Sequence, residues 1–131
     1  MKIISLSFLI VVFIATSSHA VDKKYLKLLR FELVGTNLKL PNRIDEVTTM
    51  VEMRILTLHG KHYVAALYEI DTDIVTLGNS AENYRRRSII TGCADPRTME
   101  YMKNGMGIAI LLNNRSGDRI DAFKYSIKDC K

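Results

Sequence analysis

Residues 45–70, DEVTTMVEMRILTLHGKHYVAALYEI, decide how this chain is built. Val51, Met53 and Ile55 alternate with Glu52 and Arg54, the two-residue period of a strand with one buried face. Ile44, Val47, Val51, Ile55 and Leu58 also recur at helical spacing, so the stretch 45–58 carries both patterns. The β-branched cluster Val47, Thr48, Thr49 and Val51 turns the reading to strand, because such side chains lose rotamer freedom in a helix and fit a pleated surface. His59-Gly60-Lys61 supplies a turn, and Tyr63, Ala65 and Leu67 resume the alternation as far as Ile70. Residues 50–70 therefore read as a β-hairpin.

Working outward, Leu29, Phe31 and Leu33 alternate with Arg30 and Glu32, which predicts a strand over 27–34, and the stretch 35–42 with Pro41 reads as a loop. On the other side, Asp71-Thr72-Asp73 is a turn and 74–77 a short strand closed by Gly78-Asn79-Ser80. A further strand is predicted over 84–91. Asp95-Pro96 before Met99, Tyr101 and Met102, with Asn104-Gly105 behind, has the cap, the proline and the stop of a short helix. The continuous apolar run 107–112 predicts a strand buried on both faces, and 113–118 a hairpin connection. In the last strand Phe123, Tyr125 and Ile127 point inward while Lys124, Ser126 and Lys128 point out. The expected fold is mainly β, an antiparallel β-sandwich or partly closed barrel with one short helix; a helix over 45–58 would make it α+β.

The N-terminus reads as a secretory leader: Lys2, an apolar run from Ile3 to Ile14, and the small-residue site Ser18-His19-Ala20. The run is short against the ~20 residues that cross a bilayer, and Thr16, Ser17 and Ser18 follow it at once. The expected organisation is a signal peptide, 1–20, and a single secreted domain, 21–131, with no membrane span. Export permits Cys93 and Cys130, the two cysteines, to pair. Their distant spacing suits a structural bridge rather than a redox pair, at a value of about 3 to 4 kcal/mol. The net charge is +5, and loss of Lys2 leaves +4, a weak attraction to anionic surfaces that selects no specific nucleic acid.

Tyr84, Arg85 and Arg87 are the candidate binding residues. On a strand Arg85 and Arg87 would share a face with Arg86 opposite, and two guanidinium forks suit phosphate, sulfate or carboxylate; a charged edge strand that resists aggregation is the competing reading. Lys23, Lys24, Arg43 and Arg97 are candidate extensions of that basic surface. His59 and His62, with Glu69 and Asp71, hold the residue types of a metal or acid–base site, but they flank a turn and no third ligand is adjacent, so they read as solvated. Glu46 with Glu52, and Asp118 with Asp121, read as surface charge. Asn114-Arg115-Ser116 is a glycosylation acceptor in an expected exposed turn. No Gly-rich phosphate loop or nucleophile-elbow motif occurs, and no cofactor or metal is expected.

The pieces Leu56-Thr57-Leu58-His59-Gly60-Lys61, Val64 to Leu67, Tyr68-Glu69-Ile70-Asp71-Thr72-Asp73 and Thr91-Gly92-Cys93-Ala94-Asp95 resemble, in that order, the secreted nematode transthyretin-like family. The resemblance covers about 53–95. It departs at Leu58, where that family carries a cysteine, lacks its acidic loop after Asp73 and its histidine-cysteine ending to the strand 108–112, and adds 23–43 in front. It implies an extracellular, non-enzymatic β-sandwich and carries over no site residues.

The functional expectation is a secreted, disulfide-stabilised β-rich binding protein acting on an extracellular protein or an anionic glycan or lipid surface. The alternatives are a small ribonuclease-like hydrolase using His59 or His62 with Glu69, and a secreted toxin or host-directed effector.

Overall fold

The computed structural model describes residues 21–73 and 81–131. In chain order these hold helix α1 (Lys23–Asn37), strands β1 (Asn42–Arg43), β2 (Thr48–Leu58) and β3 (Lys61–Ile70), helices α2 (Ala81–Ala94) and α3 (Pro96–Lys103), strands β4 (Gly107–Asn114) and β5 (Arg119–Tyr125), and a 3-10 turn (Ile127–Asp129). The five strands make one mixed sheet in the order β1-β2-β3-β4-β5. β2 and β3 form the expected antiparallel hairpin, with Leu58 opposite Lys61 across the turn, where His59 (φ 50°) and Gly60 (φ 76°) both take left-handed conformations.

β3 and β4 run parallel, Val64 beside Ile108 and Ile70 beside Asn114. A parallel pair needs a crossover, and α2 and α3 lie within it. One hydrophobic cluster joins Leu26, Leu29 and Leu33 of α1, Tyr101 and Met102 of α3, Val64, Ala66 and Ile70 of β3, and Ile108, Ile110 and Leu112 of β4; Tyr84 and Ile89 of α2 pack against its side. The helices thus cover one face of the sheet. On the other face Tyr63, Ala65 and Ala109 form a small cluster with Leu56, and the ammonium groups of Lys61 and Lys124 sit 5.8 and 5.4 Å from the Tyr63 ring centroid. These two lysines lie over a face that none of the described helices covers.

The sandwich and the barrel are therefore corrected to an open sheet with helices over one face. Two misread segments account for the difference. Residues 27–34 belong to α1: Leu26, Leu29 and Leu33 are the buried set, at helical spacing, while Phe31, the centre of the expected strand, is exposed. The Asp22 side chain caps this helix, accepting from Lys24 N–H at 3.0 Å, and the helix runs into the expected loop as far as Asn37. Residues 84–91 belong to α2, so α3 is one helix of three among the described residues. The expected helix at Asp95-Pro96 is present as α3, Asp95 capping it through Thr98 N–H at 2.9 Å. The expected strand over 45–58 is β2, buried β4 is as read, and Ile127 lies exposed on the 3-10 turn instead of inside. The short strand read at 74–77, the turn at 78–80 and the leader 1–20 lie outside the described residues.

Cys93 and Cys130 are joined by a disulfide, with Cα atoms 5.5 Å apart, tying the end of α2 to the tail after β5. A second tie is non-covalent: Asn37, last in α1, donates from Nδ2 to the Met53 carbonyl at 2.7 Å and accepts from Met53 N–H at 2.8 Å. β2 is irregular just before this point, where its register against β3 shifts between Met50 and Glu52.

A cleft between sheet and helices as the candidate binding site

A cleft of about 700 Å³ separates the sheet from α2 and α3. Its floor is the helix-facing register of the strands: Met50 and Met53 of β2, Val64, Ala66 and Tyr68 of β3, Ile108 and Ile110 of β4, and Tyr125 of β5. Its wall explains why the space stays open. The side of α2 that meets the sheet carries Ser88, Thr91 and Gly92 at helical spacing, and these are too small to fill what a leucine would fill. Gly92 is buried because Tyr125 presses on it: a Cβ there would overlap the Tyr125 hydroxyl and lie 2.9 Å from its Cζ.

The rim is polar and carries both signs. Asp45 accepts backbone N–H bonds from Val47 at 2.9 Å and Thr48 at 2.8 Å; led by the Val47 bond, these hold its carboxyl below the usual carboxylate range. It is therefore an anion at the mouth. Asp95 faces the same space, as do Arg87 and Arg97; Arg97 also reaches Glu32 of α1 at 3.1 Å. Tyr68 and Tyr125 are pushed up to about 12 by burial, and Tyr84 is raised first by burial and then by Asp45. All three hydroxyls stay protonated donors at neutral pH.

Of the candidate binding residues, Tyr84 and Arg87 both line the cleft, one helical turn apart. Arg85 does not join them. Its guanidinium forks onto Asp121 of β5, Nε to Oδ2 at 2.9 Å and Nη2 to Oδ1 at 2.5 Å, and sits 5.8 Å from the Phe123 ring centroid. The shared face expected for Arg85 and Arg87 belongs to a strand, and a helix turns the two apart. Asp121, read as surface charge, is that arginine's partner. Arg43 donates to the carbonyls of Asp45 at 3.1 Å and Glu46 at 2.5 Å, while Lys23 and Lys24 lie exposed in α1. Asn114 ends β4, where its Oδ1 accepts from Asp118 N–H at 2.9 Å in the hairpin that follows.

His62 Nδ1 lies 2.9 Å from Thr57 Oγ1 beside the β2–β3 turn, and Glu69 pairs with Thr49 at the opposite end of the hairpin. The separation is seven residues of extended strand, about 23 Å at ~3.3 Å per residue, so the histidines and Glu69 do not form an acid–base pair. Among the described residues no group of three or more His, Cys, Asp or Glu is placed to hold a metal ion, and no helix is long and apolar enough to cross a membrane.

No protein-family model matches the chain, and no curated protein matches it in sequence. Solved structures match in fold. The pilotin EpsS of the Vibrio vulnificus type 2 secretion system superposes with a TM-score of 0.66 at 17% identity, over 83% of this chain and 94% of that one. A protein described as secreted, from Pseudomonas aeruginosa, gives 0.67 at 10% identity over 80% and 91%. The pilotin AspS of the Vibrio cholerae type II secretion system gives 0.60 at 16% identity over 82% and 94%. The chain thus shares the fold of these pilotins, a sheet with helices on one face. The resemblance to the nematode transthyretin-like family is overturned: a β-sandwich has no place for α1, α2 and the parallel β3–β4 pair.

Proposed function

We propose that this protein is exported, works in the cell envelope or along a secretion route, and binds without catalysis a short segment of a partner protein in the cleft between the sheet and α2. The observation that supports this reading is the cleft's division of labour: an apolar floor from Met50, Met53, Val64, Ile108 and Ile110 below a rim of Asp45, Arg87, Asp95 and Arg97. An apolar floor with a few fixed polar groups is the composition of a recognition pocket, and about 700 Å³ accommodates two or three large side chains. A rim with both charges suits a peptide, whose backbone and flanking side chains offer donors and acceptors, better than a bare polyanion. The likeness in fold to two type II secretion pilotins and to a protein described as secreted supports the envelope as the place of work. The leader at 1–20 is the proposed means of export.

The test is a displayed peptide library panned against the purified protein, with Thr91→Trp as the counter-target. Thr91 is an exposed residue of the α2 wall, so an indole there fills the cleft without entering the core. Enriched peptides should carry two or more large apolar residues and lose at least tenfold in affinity for Thr91→Trp while its melting midpoint stays near wild type. Peptides that bind both proteins equally would remove the cleft from consideration.

A further inference from the structure

Helix α1 is apolar on two opposite sides. Leu26, Leu29 and Leu33 are buried in the core, and a second stripe, Leu28, Phe31, Val34 and Leu38, points outward with 70, 83, 63 and 83% of each residue exposed. Leu38 continues the stripe because it holds helical dihedrals at the C-cap (φ −64°, ψ −23°). A surface helix keeps charged residues on the face away from its core; here that face carries four exposed apolar residues beside its lysines.

The charges around the stripe identify what covers it. Over residues 22–39 stand five cations, Lys23, Lys24, Lys27, Arg30 and Lys39, against Asp22 and Glu32. Both carboxylates are engaged, Asp22 by Lys24 N–H and Glu32 by Arg97. Lys24 and Lys27 lie on the same side of the helix as Phe31, at its N-terminal end. Lysines in a first turn oppose the helix dipole, and this helix has no acid in its first turn and no base in its last. The arrangement is contrary to the helix's own stability, and an external anionic surface makes sense of it. Pairing of this face with a second copy would bring Lys24 and Lys27 against the copy's Lys39 or its own lysines, with no carboxylate of the helix free to offset them.

We infer that the outer face of α1 docks on an anionic phospholipid bilayer, Leu28, Phe31, Val34 and Leu38 entering the headgroup boundary and Lys23, Lys24, Lys27 and Arg30 meeting lipid phosphates. The helix lies along the membrane plane and does not cross it. Since α1 packs on the sheet through Leu26, Leu29 and Leu33, docking fixes the whole domain against the surface. This surface is separate from the cleft, so either assignment stands or falls alone.

The chain contains no tryptophan, so Phe31→Trp makes a single fluorescent reporter. Exported, purified protein is mixed with vesicles of phosphatidylethanolamine and phosphatidylglycerol, and separately with pure phosphatidylcholine. The expected results are a blue shift of the introduced indole's emission and co-flotation with the anionic vesicles alone. Lys24→Gln with Lys27→Gln should weaken flotation about 25-fold, at about fivefold for each lysine, and Leu28→Ser with Phe31→Ser should abolish it with an unchanged circular dichroism spectrum. Absence of flotation by the wild type overturns the inference. So does flotation that survives the Leu28→Ser, Phe31→Ser pair, and so does a dimer by sedimentation that this pair converts to monomer.

Discussion

Removing the Cys93–Cys130 bridge is the perturbation whose size the fold allows to be worked out. The two residues are 37 apart in sequence, and closing a loop of that length takes about 13 cal/mol/K of entropy from the unfolded chain, or about 4 kcal/mol at 25 °C. A domain of about 110 residues is stable by only ~5 to 15 kcal/mol, so the bridge is a large share of the total. At ~4 °C for each kcal/mol, Cys93→Ala with Cys130→Ala should lower the melting midpoint by about 15 °C. The assay is thermal unfolding followed by far-ultraviolet circular dichroism, with the double substitution used so that no free thiol confuses the result. At 20 °C the variant should keep the native spectrum, because α2 is also held by the Arg85–Asp121 pair and by packing of Tyr84 and Ile89. A fall of less than about 5 °C would refute the loop-entropy reasoning. Loss of helical signal before the main transition would refute the claim that the bridge acts on the unfolded chain, and would make it the local support of α2.

Three further outcomes follow from the same contacts. Gly92→Ala should lower stability by about 1 to 3 kcal/mol, since its methyl group meets a ring fixed in the core, and adding Tyr125→Phe should restore only part because Cζ still stands 2.9 Å away; urea unfolding of the three variants checks both. Asp121 has its carboxyl held below the ordinary range, first by the Arg85 hydrogen bond, so the stability it confers is present above the unfolded value near pH ~4 and is lost as pH falls through the folded one. Asp121→Asn should therefore be less stable than wild type at pH 7, and the gap should narrow as urea titrations are carried to progressively more acid pH. Tyr25, Tyr68 and Tyr125 are raised to about 12, chiefly by burial, so their contribution is complete below the unfolded value of ~10 and disappears as pH climbs towards 12; absorbance at 295 nm should show them ionising late in the native protein and near pH ~10 in urea.

The fold is legible from residues where one period excludes the other, and over 45–58, where both periods occur, through the β-branched cluster Val47, Thr48, Thr49 and Val51. Residues 61–70 alternate without a competing helical stripe, 107–112 is apolar throughout, and Asp95-Pro96 with Asn104-Gly105 marks both ends of α3. α1 defeated the reading because Leu26, Leu28, Leu29, Phe31, Leu33 and Val34 are dense enough to satisfy both periods, and tertiary packing chose the helical set. In α2 the β-branched Ile89, Ile90 and Thr91 favour a strand locally, while Ala81, Glu82 and the three arginines are good helix formers. The site followed the same division. Tyr84 and Arg87, singled out by residue type, line the proposed cleft, whereas its floor carries no mark in the sequence, since Val64, Ala66 and Tyr68 are simply the other parity of a strand read for Tyr63, Ala65 and Leu67. The disulfide was legible because two cysteines in a chain read as exported leave one pairing.

The Asn37 clamp has a consequence for the margin of the sheet. β1 covers β2 only opposite Met50 and Thr49, and beyond that the backbone of β2 would offer a row of unpaired donors and acceptors to any passing strand. The carboxamide of Asn37 occupies both hydrogen-bonding positions of Met53, the first places at which such an intruder would seat. One amide side chain thus stands guard over the rim, and a protein exported as proposed, refolding among its own copies, gains protection against templated stacking into fibrils.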